Sequence, residues 1–499
     1  MFEHLKALVA AETKRTGKRR TIHLADETLR DGQQCLWATR MRTEHMLPIA
    51  DRLDRAGLAG IQAMAPVQFD ACVLFLKQDP FERIRLLRER ITRTPLRGSV
   101  RSNLMRGFMP VANDITDLFV ERQVANGLSE IGFFDALMCS DNLASSIHTA
   151  QKLGAGVGVM LPYNLAPGYD DALYVAKARE IVDRFNANTV GFYDAAGILT
   201  IDRLRTLIPA IKSAIGDTPL GFSTHCLTGL GPWLAIEAAV YGADRILTAV
   251  TPLANGNSVP STQMIAQDLR AIGFDVLVDD AVLDQVGDYL SAVAAHEGLA
   301  LGTPTEYEPS HYVTQYAGGA MSNLESSLQQ AGIADKLPVV LEEIARVRVE
   351  LGSPIMVTPY PAIIGAQAVM NVLNGERYNV VADEVKKYVC GYFGKLPLPV
   401  DQNILDRVIE NGSSDVALTP EPLKPLVPGL RERYKNLSDD ELLLRYMYGD
   451  EKVDGLAPTS ASCIYSVQHP VVDLVSGLAK RHRKARVHVS EGAFSLQAT

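Results

Sequence analysis

TIHLADETLRDGQQ (21–34) opens as a β-rich run and closes as a cluster of polar side chains. From Asp26 to Gln34, seven of nine positions are polar: Asp26, Glu27, Thr28, Arg30, Asp31, Gln33 and Gln34. A structural turn does not need so many, so the stretch predicts a strand that delivers reactive groups to a rim. Similar β-rich runs recur at 60–64, 95–100, 129–137, 156–163, 189–195, 219–225 and 244–250. Amphipathic stretches separate them. TIDRLRTLIPAIKSAIG (200–216) has Thr200 as an N-cap and Gly216 near its end, and 231–243 has Pro232 in its first turn. Eight strand–helix units over roughly 250 residues match the arithmetic of a (β/α)8 barrel. A doubly wound sheet is the lesser fit, because no phosphate-binding glycine fingerprint follows the first strand.

The expected fold is therefore α/β, a TIM (β/α)8 barrel over 21–280, with an amphipathic helix in 1–20 before it. Beyond 280 the alternation stops. Residues 282–298, 322–333, 338–351, 361–374 and 382–394 read as helices of a mostly helical second domain, 281–455, packed on the open face of the barrel. The proline-rich 411–430 reads as a connector, 438–449 as a short helix with a Ser438–Glu441 capping box, and 456–499 as an irregular tail with a basic run at 480–486.

Composition narrows the function. Among 499 residues, 47% are hydrophobic and 21% charged, enough to bury a core and exclude bulk disorder. A net charge of −9 argues against a general nucleic-acid binder. No run of eighteen apolar residues occurs, so no membrane span is expected. Six cysteines, at 35, 72, 139, 226, 390 and 463, show no CxxC spacing and read as scattered thiols of a cytoplasmic protein.

A TIM barrel carries its chemistry at the C-terminal ends of its strands. There the sequence places Asp26 to Gln34 after strand one, Arg97 near the end of strand three, Tyr193-Asp194 after strand six and Ser223-Thr224-His225-Cys226 after strand seven. A carboxylate and an imidazole from different strands suit a shared divalent metal. The structural alternatives are Asp26 as a cap or a partner of Arg30, Asp194 as a turn residue before Gly197, and His225 as a core histidine.

DETLRDGQQCLWATRMRT (26–43) resembles the opening motif of biotin-dependent carboxyltransferases: the oxaloacetate decarboxylase alpha subunit, the carboxyltransferase domain of pyruvate carboxylase and the central subunit of methylmalonyl-CoA transcarboxylase. The resemblance continues through 69–90, 133–143 and 235–253. It is strongest in QYAGGAMSNLESSLQQAGIADKL (315–337), LEEIARVRVELGSPIMVTPYPAIIGAQAVMNVLNGERY (341–378) and GYFGKLPLP (391–399), and it covers roughly residues 20–450. It implies a TIM barrel with a helical domain forming a funnel over its mouth. It also implies carboxyl transfer to or from a small oxo acid or acyl thioester, biotin delivered by a separate carrier protein, and a divalent metal such as zinc, manganese or cobalt.

The resemblance assigns catalytic roles to Arg30, Gln34 and Ser322, with Ser322 at the position of a proton-shuttling hydroxyl, and substrate binding to Arg97 and Gln34; the Tyr193 phenol is a further catalytic candidate, as a hydrogen-bond donor to an oxyanion. It assigns the metal to Asp31 and His225 together with a carbamylated lysine and a second histidine, whose positions hold Tyr193 and Ser223 here. Two of four ligands are thus replaced, and Asp31 with His225 is too few for a tight site unless Tyr193, Cys226 or substrate completes it. Cys226 adjoins His225, so on a strand it should point the other way. An arginine fork suits a carboxylate, which makes Arg97 the expected anchor for an acidic substrate. No lysine flanked by methionines, the mark of a biotin carrier, stands near the C-terminus.

Three functions are carried forward: a biotin-linked carboxyltransferase or decarboxylase, a metal-independent carbon–carbon lyase on the same scaffold, and a non-catalytic scaffold subunit of a carboxyltransferase complex. A homodimer is the expected assembly, with the apolar helices 231–243 and 361–374 as interface candidates, although barrel and domain packing also account for them.

Overall fold

A computed structural model describes residues 2–105, 110–316, 319–459, 487–491 and 494–498. The eight expected strands are present: β1 His23–Asp26, β2 Ile61–Met64, β3 Leu96–Arg101, β4 Glu130–Phe134, β5 Gly156–Pro162, β6 Thr189–Asp194, β7 Leu220–Thr224 and β8 Arg245–Thr248. They close in sequence order into one parallel barrel, with β8 pairing back onto β1 from His23–Arg245 to Asp26–Thr248. Leucine, valine, phenylalanine and isoleucine alternate with glycine along the strands. Phe192 of β6 and Phe222 of β7, paired in register, stack at 5.7 Å.

The outer helices start where local chemistry dictates. Thr200 caps Ile201–Ile215 by accepting the Arg203 N–H, and Asp170 caps Asp171–Phe185 by accepting that of Leu173. In Gly231–Tyr241, Leu234, Ala235, Ile236, Ala238 and Ala239 are buried within this chain, and Ile363, Ile364 and Ala368 are buried in Tyr360–Asn374. Most apolar side chains of Gly231–Tyr241 are covered inside the molecule, whereas Leu373 of Tyr360–Asn374 is 55% exposed.

After the barrel come Asp280–Glu297, Gly319–Gln330, Leu337–Glu350, Tyr360–Asn374 and Asp383–Val389. This helical region is bonded to loops at the exits of β4 and β5. Asn142 donates to the Phe393 carbonyl at 2.8 Å, while Asn164 donates to the Ser353 carbonyl at 2.6 Å and accepts from Arg348 at 2.8 Å. The helices therefore sit toward the rim that holds the strand ends.

Two expectations change. The connector is partly helical: Val427–Arg433 begins within it, with Pro428 in its first turn. The tail expected to be irregular contains the antiparallel pair Val487–Glu491 and Phe494–Ala498. Period-two alternation in VHVSE and FSLQA on either side of Gly492 accounts for that pair. The basic run 480–486 lies outside the described residues. Among the described residues, no helix is long and apolar enough to cross a membrane.

Candidate active site

Beyond β1 the chain winds through a π-helical turn, Thr28–Gly32, into the helix Gln33–Leu36. Single π turns are frequent at functional sites. This one is fixed from both sides. Thr28 Oγ1 donates to Asp26 Oδ1 at 2.5 Å and accepts the Val250 N–H at 2.7 Å, which ties the β1 exit to the β8 exit. Gly32 is required by close approach, since a Cβ there would lie 2.6 Å from the Leu253 carbonyl oxygen. Across the same rim, the His225 N–H donates to the Asp194 carbonyl at 3.1 Å. The Asp194 carboxylate accepts the N–H groups of Ile198 (3.0 Å) and Leu199 (2.9 Å) and the Thr224 hydroxyl (2.9 Å). Asp194 is thus a turn-fixing residue that sets Tyr193 and His225 in place.

Asp31 is the centre of the site. Its Oδ1 lies 2.5 Å from Arg30 Nη1, and its Oδ2 faces both His225 Nε2 at 2.9 Å and Cys35 Sγ at 3.8 Å. The ligand atoms of Asp31, Cys35 and His225 all lie within 4.8 Å of one another. His225 Nε2 is buried and, despite its distance from Asp31, lacks the alignment of a hydrogen bond. Burial alone would push the Asp31 carboxyl up, but the charges of His225 and Arg30 hold it at about 2. Burial would lower His225, and Asp31 raises it above the ordinary imidazole range instead. Burial, then Asp31, pushes the Cys35 thiol well up. The Tyr193 ring stands edge-on to His225 with centroids 6.1 Å apart, its hydroxyl faces Arg30, and burial raises it. Ser223 is register-paired with Tyr193 and is buried.

Of the residues expected at the site, the structure brings together Arg30, Asp31, Tyr193 and His225. Gln34 follows on the same helical turn, and its side-chain oxygen is buried with no hydrogen-bond partner among the described residues. Ser322 lies in Gly319–Gln330, but its side chain is outside the described residues. The expected position of Arg97 requires correction. It is the second residue of β3, which exits at Arg101, so Arg97 lies in the barrel interior below the rim. Its Nε is 3.3 Å from Glu130 of β4, and Glu130 is 3.0 Å from Arg245 of β8. Strands β4 and β8 are not neighbours, so this pairing crosses the barrel. On its upper side Arg97 Nη1 is 3.7 Å from Glu27, and Glu27 in turn feels Arg30, Asp31 and His225. A ladder Arg245–Glu130–Arg97–Glu27 thus climbs to the site, and Arg97 Nε and Nη1 are buried with no hydrogen-bond partner among the described residues.

Glu27 and its neighbour Asp26 make a testable pair. Both are buried, and burial raises each to about 7. A folded-state value above the unfolded one means that the folded chain holds the extra protons, so stability falls as pH rises from about 4.5 to about 7. Asp31 titrates below that window and does not oppose it. Urea unfolding at pH 5 and pH 7.5 should show this fall, on the order of 1 kcal/mol or more. Glu27→Gln, which mimics the protonated acid, should flatten it; an unchanged slope would count against a buried protonated Glu27.

Residues 312–493 match the conserved carboxylase domain family. The chain is 36% identical over 405 residues to a pyruvate carboxylase subunit of Methanocaldococcus jannaschii, covering 81% of this chain and 71% of that protein. It belongs to the biotin-dependent carboxyltransferase family. The carboxyltransferase is also 31% identical over 405 residues to the 2-oxoglutarate carboxylase large subunit of Hydrogenobacter thermophilus, covering 80% of this chain and 62% of that one. In fold it matches a variant of Rhizobium etli pyruvate carboxylase crystallised without acetyl coenzyme A, with TM-score 0.80 and 22% identity over 91% of this chain. It spans 48% of that longer protein.

Two residues of this carboxyltransferase site escape a reading of the sequence. Cys35 reads as a scattered thiol, yet it stands four positions after Asp31, the spacing that places two side chains on one helical face. Glu27 stands among the polar residues of the first strand exit with no role of its own. A carboxylate one step past a strand end and next to Asp26 is the available signal.

Proposed function

We propose that this carboxyltransferase moves a carboxyl group between a small 2-oxo acid and biotin, with the biotin carried on a separate protein chain. The observation that carries the reading is the match to a pyruvate carboxylase subunit over 405 residues, together with the second match to a 2-oxoglutarate carboxylase subunit. Pyruvate and 2-oxoglutarate, for which these relatives are named, are both 2-oxo acids.

The chemistry needs a place for the negative charge that develops on the oxo-acid carbonyl oxygen when the carbon–carboxyl bond is made or broken. Arg30 and Tyr193 offer N–H and O–H donors beside Asp31, and fixed donors in a buried site stabilise such charge without reorganisation. Asp31 orients Arg30 through their ion pair. The donor set also fits a divalent ion such as zinc or cobalt, because a carboxylate oxygen, a thiol and an imidazole nitrogen converge. Asp31 and His225 would be among its ligands, and when bound it would polarise the substrate carbonyl. Arg97, whose Nε and Nη1 are buried with no hydrogen-bond partner among the described residues, and Gln34 are the groups that would grip the substrate carboxylate.

The test is oxaloacetate decarboxylation followed through lactate dehydrogenase, with free biotin or a biotinylated carrier added. Biotin should stimulate pyruvate release. Absence of any biotin-dependent turnover of oxaloacetate, and of any carboxylation of pyruvate or 2-oxoglutarate from a carboxylated carrier, would overturn the reading. In the same assay Tyr193→Phe should lower kcat about tenfold with KM little changed, the loss of one neutral hydrogen bond to the reacting oxygen. An unchanged kcat would remove Tyr193 from the reaction.

A further inference from the structure

We propose that Cys35 is a metal ligand, and that this chain has rebuilt its metal site as an aspartate–cysteine–histidine triad selective for zinc and cobalt over manganese. The inference rests on the proposed function for the ion's role at the substrate carbonyl, but not for the binding of the ion itself.

Geometry carries the assignment. Among the described residues, one group of three carboxylate, thiol and imidazole donors converges closely enough to share an ion: Asp31, Cys35 and His225. A single oxygen, Asp31 Oδ2, faces both other donors, at 2.9 Å from His225 Nε2 and 3.8 Å from Cys35 Sγ. The second carboxylate oxygen is occupied by Arg30 at 2.5 Å and does not compete. Ligand atoms about 2.0–2.3 Å from one zinc ion are separated by roughly 3–4 Å, a spacing that the Asp31–His225 and Asp31–Cys35 distances approach, and all three ligand atoms lie within 4.8 Å of one another. The second observation is His225 Nε2, a buried ring nitrogen that lies near a carboxylate without forming a hydrogen bond to it.

The local backbone explains how a cysteine reaches this point. The π turn Thr28–Gly32 runs directly into Gln33–Leu36, so Asp31 and Cys35 project from successive turns toward the β7 exit. Cys226 does not serve this role. Its Sγ lies 4.0 Å from Asn255 Oδ1, and it is not part of the converging group. Three protein ligands with a further position open is the usual constitution of a catalytic zinc site, and a thiolate ligand favours zinc and cobalt over manganese. On binding, the Cys35 thiol proton leaves to solvent and the sulfur becomes an anionic ligand, so Asp31 and Cys35 together balance the ion's two positive charges.

The experiment uses the full chain, stripped with a chelator and reloaded with Zn(II), Co(II) or Mn(II). Wild type should retain about one zinc per chain, prefer zinc to manganese at least about a hundredfold, and show a thiolate-to-cobalt charge-transfer band in the near ultraviolet. Zinc-edge X-ray absorption of wild type should show one sulfur at about 2.3 Å, a readout that needs no variant. Cys35→Ser should abolish the cobalt band and weaken zinc binding about a hundredfold, whereas Cys226→Ser should leave the band in place. Absence of a sulfur neighbour, a band that survives Cys35→Ser or disappears in Cys226→Ser, or equal binding of manganese and zinc would each overturn the assignment. Biotin-dependent turnover by a protein without a sulfur-ligated metal would sink the ligand inference and leave the proposed function standing. A sulfur-ligated zinc in a protein that transfers no carboxyl group would do the reverse.

Discussion

Asp31→Asn should reduce biotin-dependent oxaloacetate decarboxylation by about three orders of magnitude, a loss of roughly 4 kcal/mol of transition-state stabilisation. The side chain is almost fully buried, and its two oxygens are divided between Arg30 at 2.5 Å and His225 at 2.9 Å. An amide of the same shape removes the negative charge that orients Arg30 and presents an N–H to Arg30 or His225. It also removes an anionic ligand from any bound ion. The measurement is kcat in the coupled assay, alongside circular dichroism to confirm the fold. A correctly folded variant that loses less than tenfold in rate would show that the reaction is centred elsewhere.

Asp194→Ala should be the most damaging change to stability near the rim. The carboxylate is fully buried and satisfies two backbone N–H groups and one hydroxyl. Alanine leaves those donors without partners in a site that water does not reach, at a cost of about 3–5 kcal/mol. The thermal midpoint should fall by about 5–10 °C. Asp194→Asn, which keeps one acceptor oxygen, should recover part of that loss. Because Asp194 also fixes the approach of His225 through its backbone carbonyl, the alanine variant should lose activity at temperatures where it remains folded. An unchanged midpoint would contradict the role given to this turn.

The barrel is legible because each strand is a short β-rich run between amphipathic helices, and that alternation survives local irregularity. The run at 95–100 misleads in one respect. Arg97 is charged and reads as the mark of a strand end, because charged residues seldom face a barrel interior. Here the interior supplies Glu130 and Glu27 as partners, so the strand continues to Arg101 with Arg97 buried inside it. Asp31 and His225 can be read from motif and spacing. Cys35 is legible only as the neighbour four positions after Asp31, and its approach to His225 depends on the π turn between them. The terminal strands escape notice since their alternation is only five residues long on each side.

The charge ladder gives the enzyme an unusual liability and an opportunity. Arg245 stands at the first residue of β8, far from the rim in sequence and register, yet it shares Glu130 with Arg97, and Arg97 shares Glu27 with the reacting groups. Neutralising Arg245 would let Glu130 draw more strongly on Arg97 and loosen its hold on Glu27. Amino-acid changes on the underside of the barrel can therefore reach the electrostatics of the first strand's exit without touching a residue there.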